Sequence, residues 1–391
     1  MDKRLLWLAV GSFAMSTVGF CFSGLLPDIS ADTHISIPQA GYLITGFSLA
    51  YAIGAPVLSA IAGAADRRWI LTVAMLTFVA GNILAATSAS FTTLLLAQLV
   101  MGMAAGLFAA TAQATAVSLV DPHHRARAIS VVVGGTTFAV ALGAPAGSLI
   151  ATLWGWRGTF IAIALLGLFC ATILFIWLPR GLRGARLTLA ERLAAIGRPG
   201  ILPALLVTLL YLTGGFAVIS YLAPLAFSGG LPALALPGML LAFGIGAIIG
   251  NLSSGYLADR IGATRVVVLS LLLSMAICIA ITLILKLFPQ EIAGPALIAI
   301  MVPWGIVGWS FPPAQASRIV GYAPEVAHLS LSLNASALYF GIAFGTMIGG
   351  RVLEYGQPSD LGLVAAAFPV LALAVLFAGR RPVRVVAAPA E

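Results

Sequence analysis

The chain has 391 residues, 61% of them hydrophobic and only 8% charged, with a mean hydropathy of +1.09. A soluble domain carries about 25% charged residues, so this composition excludes a soluble protein and requires a polytopic membrane protein. The apolar runs, roughly 18 to 24 residues each and without period-2 alternation, exclude a β-barrel and leave an all-α integral membrane fold.

Taken in order, the runs predict twelve transmembrane helices. Six lie at about 5–26, 39–61, 69–88, 93–117, 128–151 and 159–178. Six more lie at about 201–222, 234–257, 265–285, 293–313, 328–350 and 361–378. Met1-Asp2-Lys3-Arg4 precedes the first run, and no small-residue cleavage site ends it, so this span is expected to be retained. Residues 179–200 carry five arginines, Glu191 and two prolines, and divide the spans six and six. The expected organisation is therefore a first bundle over 1–178, a linker over 179–200 with a short surface helix near Leu187–Ile196, and a second bundle over 201–391. Cys21, Cys170 and Cys278 each sit inside an apolar run and are read as small core residues, not disulfides or metal ligands.

Assigning Lys and Arg to sides of the membrane puts 17 of the 20 on the side of the N-terminus. Only Arg157, Lys286 and Arg351 fall opposite. The positive-inside rule makes the basic side cytoplasmic, with both termini and the linker there. The net charge of +8 is accounted for by this asymmetry, so no nucleic-acid partner is expected. Membrane lipids surround the chain, no cofactor is called for, and a monomer is expected.

One pattern occurs twice. Gly255-Tyr256-Leu257-Ala258-Asp259-Arg260-Ile261-Gly262-Ala263-Thr264-Arg265 joins spans eight and nine, and Ala62-Gly63-Ala64-Ala65-Asp66-Arg67-Arg68 joins spans two and three. The two aspartates are 193 positions apart (259 minus 66), about half the chain. An acid at a helix start faces the positive end of the helix dipole. Span five holds Gly143-Ala144-Pro145-Ala146-Gly147, in which proline removes a helix hydrogen bond and the flanking glycines allow a bend. Trp154-Gly155-Trp156-Arg157 follows it. Glycines three or four apart, such as Gly102 and Gly106 or Gly341, Gly345 and Gly349, suit close helix packing.

With these motifs the chain resembles the major facilitator superfamily over essentially its whole length. The contracted first hinge, which lacks the second glycine, resembles the drug:proton antiporter-1 type branch of sugar, nucleoside and chloramphenicol exporters. The resemblance implies two pseudo-symmetric six-helix bundles that rock about a central site. It implies that Asp66, Arg67, Asp259 and Arg260 latch the halves on the cytoplasmic face, and that Gly143, Pro145 and Gly147 form the kink typical of antiporters; topology anchors and a simple kink are the plainer alternatives. It also implies a cavity at the midplane lined by spans one, four, seven and ten, with help from their neighbours.

Two departures bear on mechanism. Aligned on Gly24-Leu25-Leu26-Pro27, the acid that the branch carries in span one is Gly19, and its span-four arginine is Gln98. No charged residue or histidine then lies near the middle of any predicted span. The nearest titratable groups for proton coupling are Asp28 and Asp32 at the outer end of span one and His328 at the start of span eleven. Polar or aromatic residues at mid-depth include Thr17, Phe20, Phe108, Gln113, Thr213, Trp309, Ser310 and Gln315. The favoured substrate contacts are Gln98, Tyr211, Trp304, Asn334 and Tyr339, with interhelical bonding as the alternative for each. This neutral, aromatic set suits an uncharged or amphipathic small molecule.

The expectation is a secondary transporter exporting a small neutral or amphipathic solute, by proton antiport or as an uncoupled facilitator, with a transport-inactive sensor as a further alternative. No enzyme is expected: His34, His123, His124 and His328 lie at loops or helix ends, with no acid beside them at depth. No phosphate-binding Gly-rich loop supports an ATP-driven pump. The family resemblance implies a bacterial inner membrane.

Overall fold

The computed structural model describes residues 3–183 and 188–378. Over these the chain is helical, with no strand. Helices α1 (Lys3–Thr33), α2 (Ile37–Ala62), α3 (Arg67–Ala86) and α4 (Phe91–Ser118) cross back and forth. Helix α5 (Arg125–Phe138) runs through a π-helical turn, Ala139–Gly143, into α6 (Ala144–Trp177). A linker helix α7 (Leu189–Ala194) leads to α8 (Ile201–Ile219) and the short α9 (Leu222–Ser228). The second half continues with α10 (Ala235–Ile261), α11 (Ala263–Leu287), α12 (Gln290–Tyr322), α13 (Ala327–Tyr355) and α14 (Leu361–Ala378).

Eleven of the helical stretches are long and apolar enough to cross a membrane, and one of them, Arg127–Trp177, has 51 residues. At 1.5 Å per residue that stretch would reach about 77 Å, more than twice the roughly 30 Å hydrocarbon core. It is broken at Gly155, whose φ of 78° places it in the left-handed region that glycine favours. Two passes in this stretch bring the crossings to twelve.

Local chemistry explains the joints. Pro145 has no N–H to give the carbonyl of Ala141, and the ladder slips so that the Ala144 N–H reaches back to the Ala139 carbonyl. Gly262, at φ 89°, is the single residue between α10 and α11. The second glycine of the hinge motif is thus a steric requirement of a one-residue connection. At the first hinge Asp66 caps α3, accepting from the Arg68 N–H at 3.0 Å and the Gly181 N–H at 2.7 Å. The Arg67 N–H donates to the Leu182 carbonyl at 2.9 Å, which ties the start of the linker to this hinge.

Small residues set which helices pair. A Cβ at Gly102 or Gly106 would press into the carbonyls of Phe47 or Tyr51, so α4 lies directly on α2. In the second half Gly246, Gly250 and Gly305 bring α10 onto α12 in the same way. Gly341, Gly345 and Gly349 face the backbone of α8 at Leu209, Thr213 and Ala217. Their counterparts Gly135, Gly143 and Gly147 face Ala9, Thr17 and Cys21 of α1. Span pairs two–four and eight–ten, and pairs one–five and seven–eleven, are thus related by a shift of six spans, the signature of an internal repeat.

The halves meet along two seams, α2 against α13 and the α5–π-turn–α6 region against α10. The same six-span shift exchanges these seams. Large apolar side chains such as Leu153, Leu165, Ile176 and Leu252 are more than half exposed and form the lipid-facing surface of a helical membrane protein.

One boundary differs from the expectation in a way that matters. Span ten was expected to stop near residue 313, but α12 continues to Tyr322, and Arg318 is a buried residue of that helix rather than a loop cation. Its guanidinium donates to Gln315 Oε1 at 2.6 Å and to the Tyr322 hydroxyl at 3.1 Å. Gln315 Nε2 donates to the Ala204 carbonyl at 2.6 Å and to the Thr208 hydroxyl at 3.2 Å, and Thr208 donates to Asn334 Oδ1 at 2.6 Å. This polar chain ties α8, α12 and α13 together where they pack and gives Arg318 two partners, leaving its Nε without one, so the helix carries a charge one turn beyond its apolar run.

Candidate functional site

A cavity of about 230 Å³ lies between the two halves. From the first half it is lined by Ser12, Ser16, Gly19, Phe20 and Ser23 of α1, Tyr51 of α2, Phe108 and Gln113 of α4 and Thr136 of α5. From the second half come Tyr211, Phe216 and Ser220 of α8, Phe243 of α10, Ser274 of α11, Trp304 and Trp309 of α12 and Tyr339 of α13. No Asp, Glu, Lys, Arg or His is among the lining residues. A site of this kind holds its occupant by aromatic surface and a few hydroxyl and amide groups, and it offers no fixed counter-charge.

A second cavity of about 410 Å³ adjoins the first and shares Tyr51, Ala109, Gln113 and Ala335 with it. It runs past Ser59 and Ser332 to Gly63 and Arg67, at the end where the hinges and the linker lie. Arg67 is the one charged residue among the described lining of this vestibule, and it donates to the Ala114 carbonyl at 2.7 Å and the Ser118 hydroxyl at 2.9 Å at the end of α4.

The opposite end is shut. Tyr221 is fully buried, and its hydroxyl donates to the Thr346 carbonyl at 2.9 Å. A Cβ at Gly41 of α2 would overlap that hydroxyl, and one at Gly349 of α13 would lie 2.8 Å from the ring. The ring therefore fills a slot made of glycine on both sides of the seam. Nearby, the Ser220 and Thr346 hydroxyls are 2.8 Å apart, and the Thr45 hydroxyl is 3.5 Å from the Ala343 carbonyl of the other half. At the other seam Gly244 lies against the backbone of Ala141. Within the first half at this end, Arg157 pairs with Asp32 and donates to the Ser88 carbonyl at 3.0 Å.

Tyr211, Trp304 and Tyr339, three of the five favoured contacts, line the central cavity. Gln98 and Asn334 do not. Gln98 is fully buried in the first bundle, with neither amide atom hydrogen-bonded to another protein group, and Asn334 accepts from Thr208 within the second. Of the wider mid-depth set, Phe20, Phe108, Gln113 and Trp309 reach the cavity, whereas Thr17, Thr213, Ser310 and Gln315 bond to helix carbonyls. Tyr51 is not in that set, although neighbours of spans one, four, seven and ten are expected to help line the site. Its signal was present all the same, a phenol at the midpoint of a span.

Among the hinge residues, Asp66 and Arg67 bond within the first half and the linker. Arg260 lies over the Tyr256 ring at 4.5 Å, and Asp259 is exposed. Gly143 and Gly147 take α1 into close contact, and Pro145 sets the π-turn that ends at Gly143. Asp28 is exposed near the shut end of α1, and the side chain of His328 lies outside the described residues. No cluster of three metal-binding side chains occurs among the described residues.

Residues 8–346 match the Major Facilitator Superfamily. The chain belongs to that superfamily. It is 33% identical to the inner membrane transport protein YdhP of Escherichia coli (strain K12), over 97% of each chain. It is 32% identical to the MFS-type transporter YbcL of Bacillus subtilis, over 94% of this chain and 93% of that one. It is also 32% identical to a chloramphenicol resistance protein of Streptomyces lividans, over 100% and 99%. Among solved structures it is similar to a bacterial homolog of the human lysosomal transporter Spinster, inward-facing and unoccupied. That likeness has a TM-score of 0.72 at 18% identity, covers 100% and 99% of the two chains, and bears on the fold. This member of the superfamily is thus a multi-pass membrane protein and a transporter, with a central cavity open through the vestibule toward the hinge-bearing end.

Proposed function

We propose that this transporter exports a small neutral or amphipathic solute, of drug, sugar or nucleoside type, from the cytoplasm across the bacterial inner membrane by rocker-switch alternating access. The chief support is the uncharged, aromatic-rich cavity at the junction of the halves, joined to a vestibule at one end and sealed by Tyr221 at the other. The vestibule end carries the basic hinges, so the positive-inside rule makes it cytoplasmic, with both termini on that side. Export is favoured by the likeness to a chloramphenicol resistance protein.

The two bundles, 1–178 and 201–391, are the moving bodies, joined by the 179–200 linker, and the protein works as a monomer. Asp66, Arg67, Asp259 and Arg260 have no cross-seam partner among the described contacts, as expected of a latch that engages when the vestibule closes. Gly143, Pro145 and Gly147 form the pivot beside α1. Tyr211, Trp304 and Tyr339 contact the solute directly, and Gln98 and Asn334 act from within their bundles. If protons are exchanged, Asp28 and His328 are the groups to test.

A second reading, an uncoupled facilitator, is favoured by one observation: among the described residues, no carboxylate or histidine lines either cavity. Counterflow in liposomes with labelled uridine, a hexose and chloramphenicol, with and without a pH gradient, tests both. Gradient-driven accumulation supports antiport, gradient-independent exchange supports the facilitator, and absence of exchange with every solute overturns transport of this class.

A further inference from the structure

Two phenol rings from opposite halves meet where the central cavity joins the vestibule. Tyr51 of α2 and Tyr339 of α13 stack with centroids 3.5 Å apart and planes 16° from parallel. Tyr51 lines both cavities and Tyr339 lines the central one, so a solute passing from vestibule to cavity meets this pair. Each ring presents a negative face, so aromatic pairs prefer offset or edge-on contact at about 4.5–7 Å over a face-to-face sandwich. The stack is therefore a contact that a third ring can improve upon. An electron-poor ring placed between two electron-rich phenols meets two attractive faces, where the phenols alone share one face-to-face contact of the less-preferred kind. Inserting it requires the pair to separate by about one ring thickness, and the only element boundary that can supply this is the α2–α13 seam. The next aromatic contact along the cavity also crosses the halves: Phe20 lies 6.0 Å from Trp309.

We propose that Tyr51 and Tyr339 are the specificity-determining pair of this transporter, and that they select neutral solutes bearing a planar, electron-poor aromatic ring. This rests on the transport reading above and narrows its substrate class: saturated hydroxylated solutes such as hexoses are rejected at the stack. Because the two phenols belong to different halves, the same ring that is recognised also parts the seam.

Calorimetric titration of the purified full chain in nanodiscs tests the pair. The probes are 4-nitrobenzyl alcohol, 4-methoxybenzyl alcohol and cyclohexylmethanol, all neutral and of similar size. Affinity is expected to fall in that order, with at least a tenfold span. Tyr51→Leu and Tyr339→Leu are expected to compress the span to within twofold, while Tyr51→Phe and Tyr339→Phe keep the order. Equal affinities on the wild-type chain, or tightest binding of the saturated alcohol, would overturn the proposal. So would an unchanged span in folded Leu variants. Should the Leu variants fail to fold, the wild-type series and the Phe variants still decide. Counterflow separates the two readings. Ring-ordered binding without any counterflow overturns transport and leaves the selectivity, whereas hexose counterflow as fast as that of chloramphenicol overturns the selectivity and leaves transport.

Discussion

Tyr221 offers the sharpest handle on the conformational equilibrium. It belongs to the second half, so its hydrogen bond to Thr346 and its contact with Gly349 persist whichever way the halves tilt. Its packing against Gly41, by contrast, crosses the seam. A buried tyrosine covers about 150–250 Å². If roughly a third of that faces the first half, about 60 Å² is re-exposed to water when this end opens, worth ~1.5 kcal/mol at ~25 cal/mol per Å². Tyr221→Ala is therefore expected to shift the equilibrium about tenfold toward opening at this end. Gly41→Ala should act in the same direction by the opposite means, because its methyl group would sit 2.9 Å from the ring carbon bearing the hydroxyl and overlap the hydroxyl itself. Spin labels at Ala31→Cys and Tyr355→Cys, exposed and on different halves at the shut end, report the distance by double electron–electron resonance. The native Cys21, Cys170 and Cys278 are buried and stay unlabelled. Both substitutions should enlarge the long-distance population. An unchanged distribution in both, or separation at the vestibule end instead, would refute Tyr221 as the seal.

Five further substitutions probe the packing and the polar pairs. Gly102→Leu forces a side chain into the Phe47 carbonyl and should cost about 1–3 kcal/mol in thermal unfolding of the purified protein, whereas the same change at Gly134, which faces open space, should cost little. Gln315→Leu removes the partner that holds the buried Arg318 and should destabilise by about 2 kcal/mol. Arg318→Met removes the charge as well and should be close to neutral; the reverse order of the two melting temperatures would contradict the role assigned to Gln315. Arg157→Gln breaks a half-exposed pair with Asp32 and should lower stability by no more than about 1 kcal/mol.

The fold was legible because lipid imposes a simple rule: long uncharged runs must be helices, and basic loops mark one side. The hinge glycine at 262, the proline at 145 and the stripes at Gly102/Gly106 and Gly341/Gly345/Gly349 also carried their structural meaning in the sequence. The site was less legible. In a helix apolar on every face, such as α4, no hydrophobic stripe marks which side is the interior, so nothing in the sequence ranks Gln113 above the favoured Gln98. The fold turns Gln113 to the cavity and Gln98 into its own bundle. Tyr51 was missed for a related reason: whether span two reaches the centre depends on how far α4 and α2 approach, and Gly102 and Gly106 set that distance. The reach of α12 to Tyr322 was hidden because Arg318 looked like a loop cation until Gln315, Thr208 and Asn334 came together around it.

The seams themselves imply a salt dependence with a definite sign. Every ion pair among the described residues lies within one half or between the linker and the second half: Asp32 with Arg157, Glu354 with Arg351, Asp360 with Lys286, and Glu325 with Arg198. The halves are instead joined by glycine-backed van der Waals contact, aromatic pairs and the neutral Thr45–Ala343 contact, which salt does not screen. The vestibule-open arrangement should therefore be indifferent to ionic strength. If the hinge residues pair across the seam when the vestibule closes, that arrangement holds exposed ion pairs worth up to about 1 kcal/mol each at low salt and screened over about 8–10 Å near physiological salt. Raising salt should then increase the vestibule-open population, and Asp259→Asn should abolish the increase while leaving the melting temperature unchanged, since Asp259 is exposed. Spin labels on the hinge-bearing ends of the two halves read this directly. A vestibule-closed population that grows with salt would contradict the proposed latch, and no response at all would reduce the hinge motifs to anchors of topology.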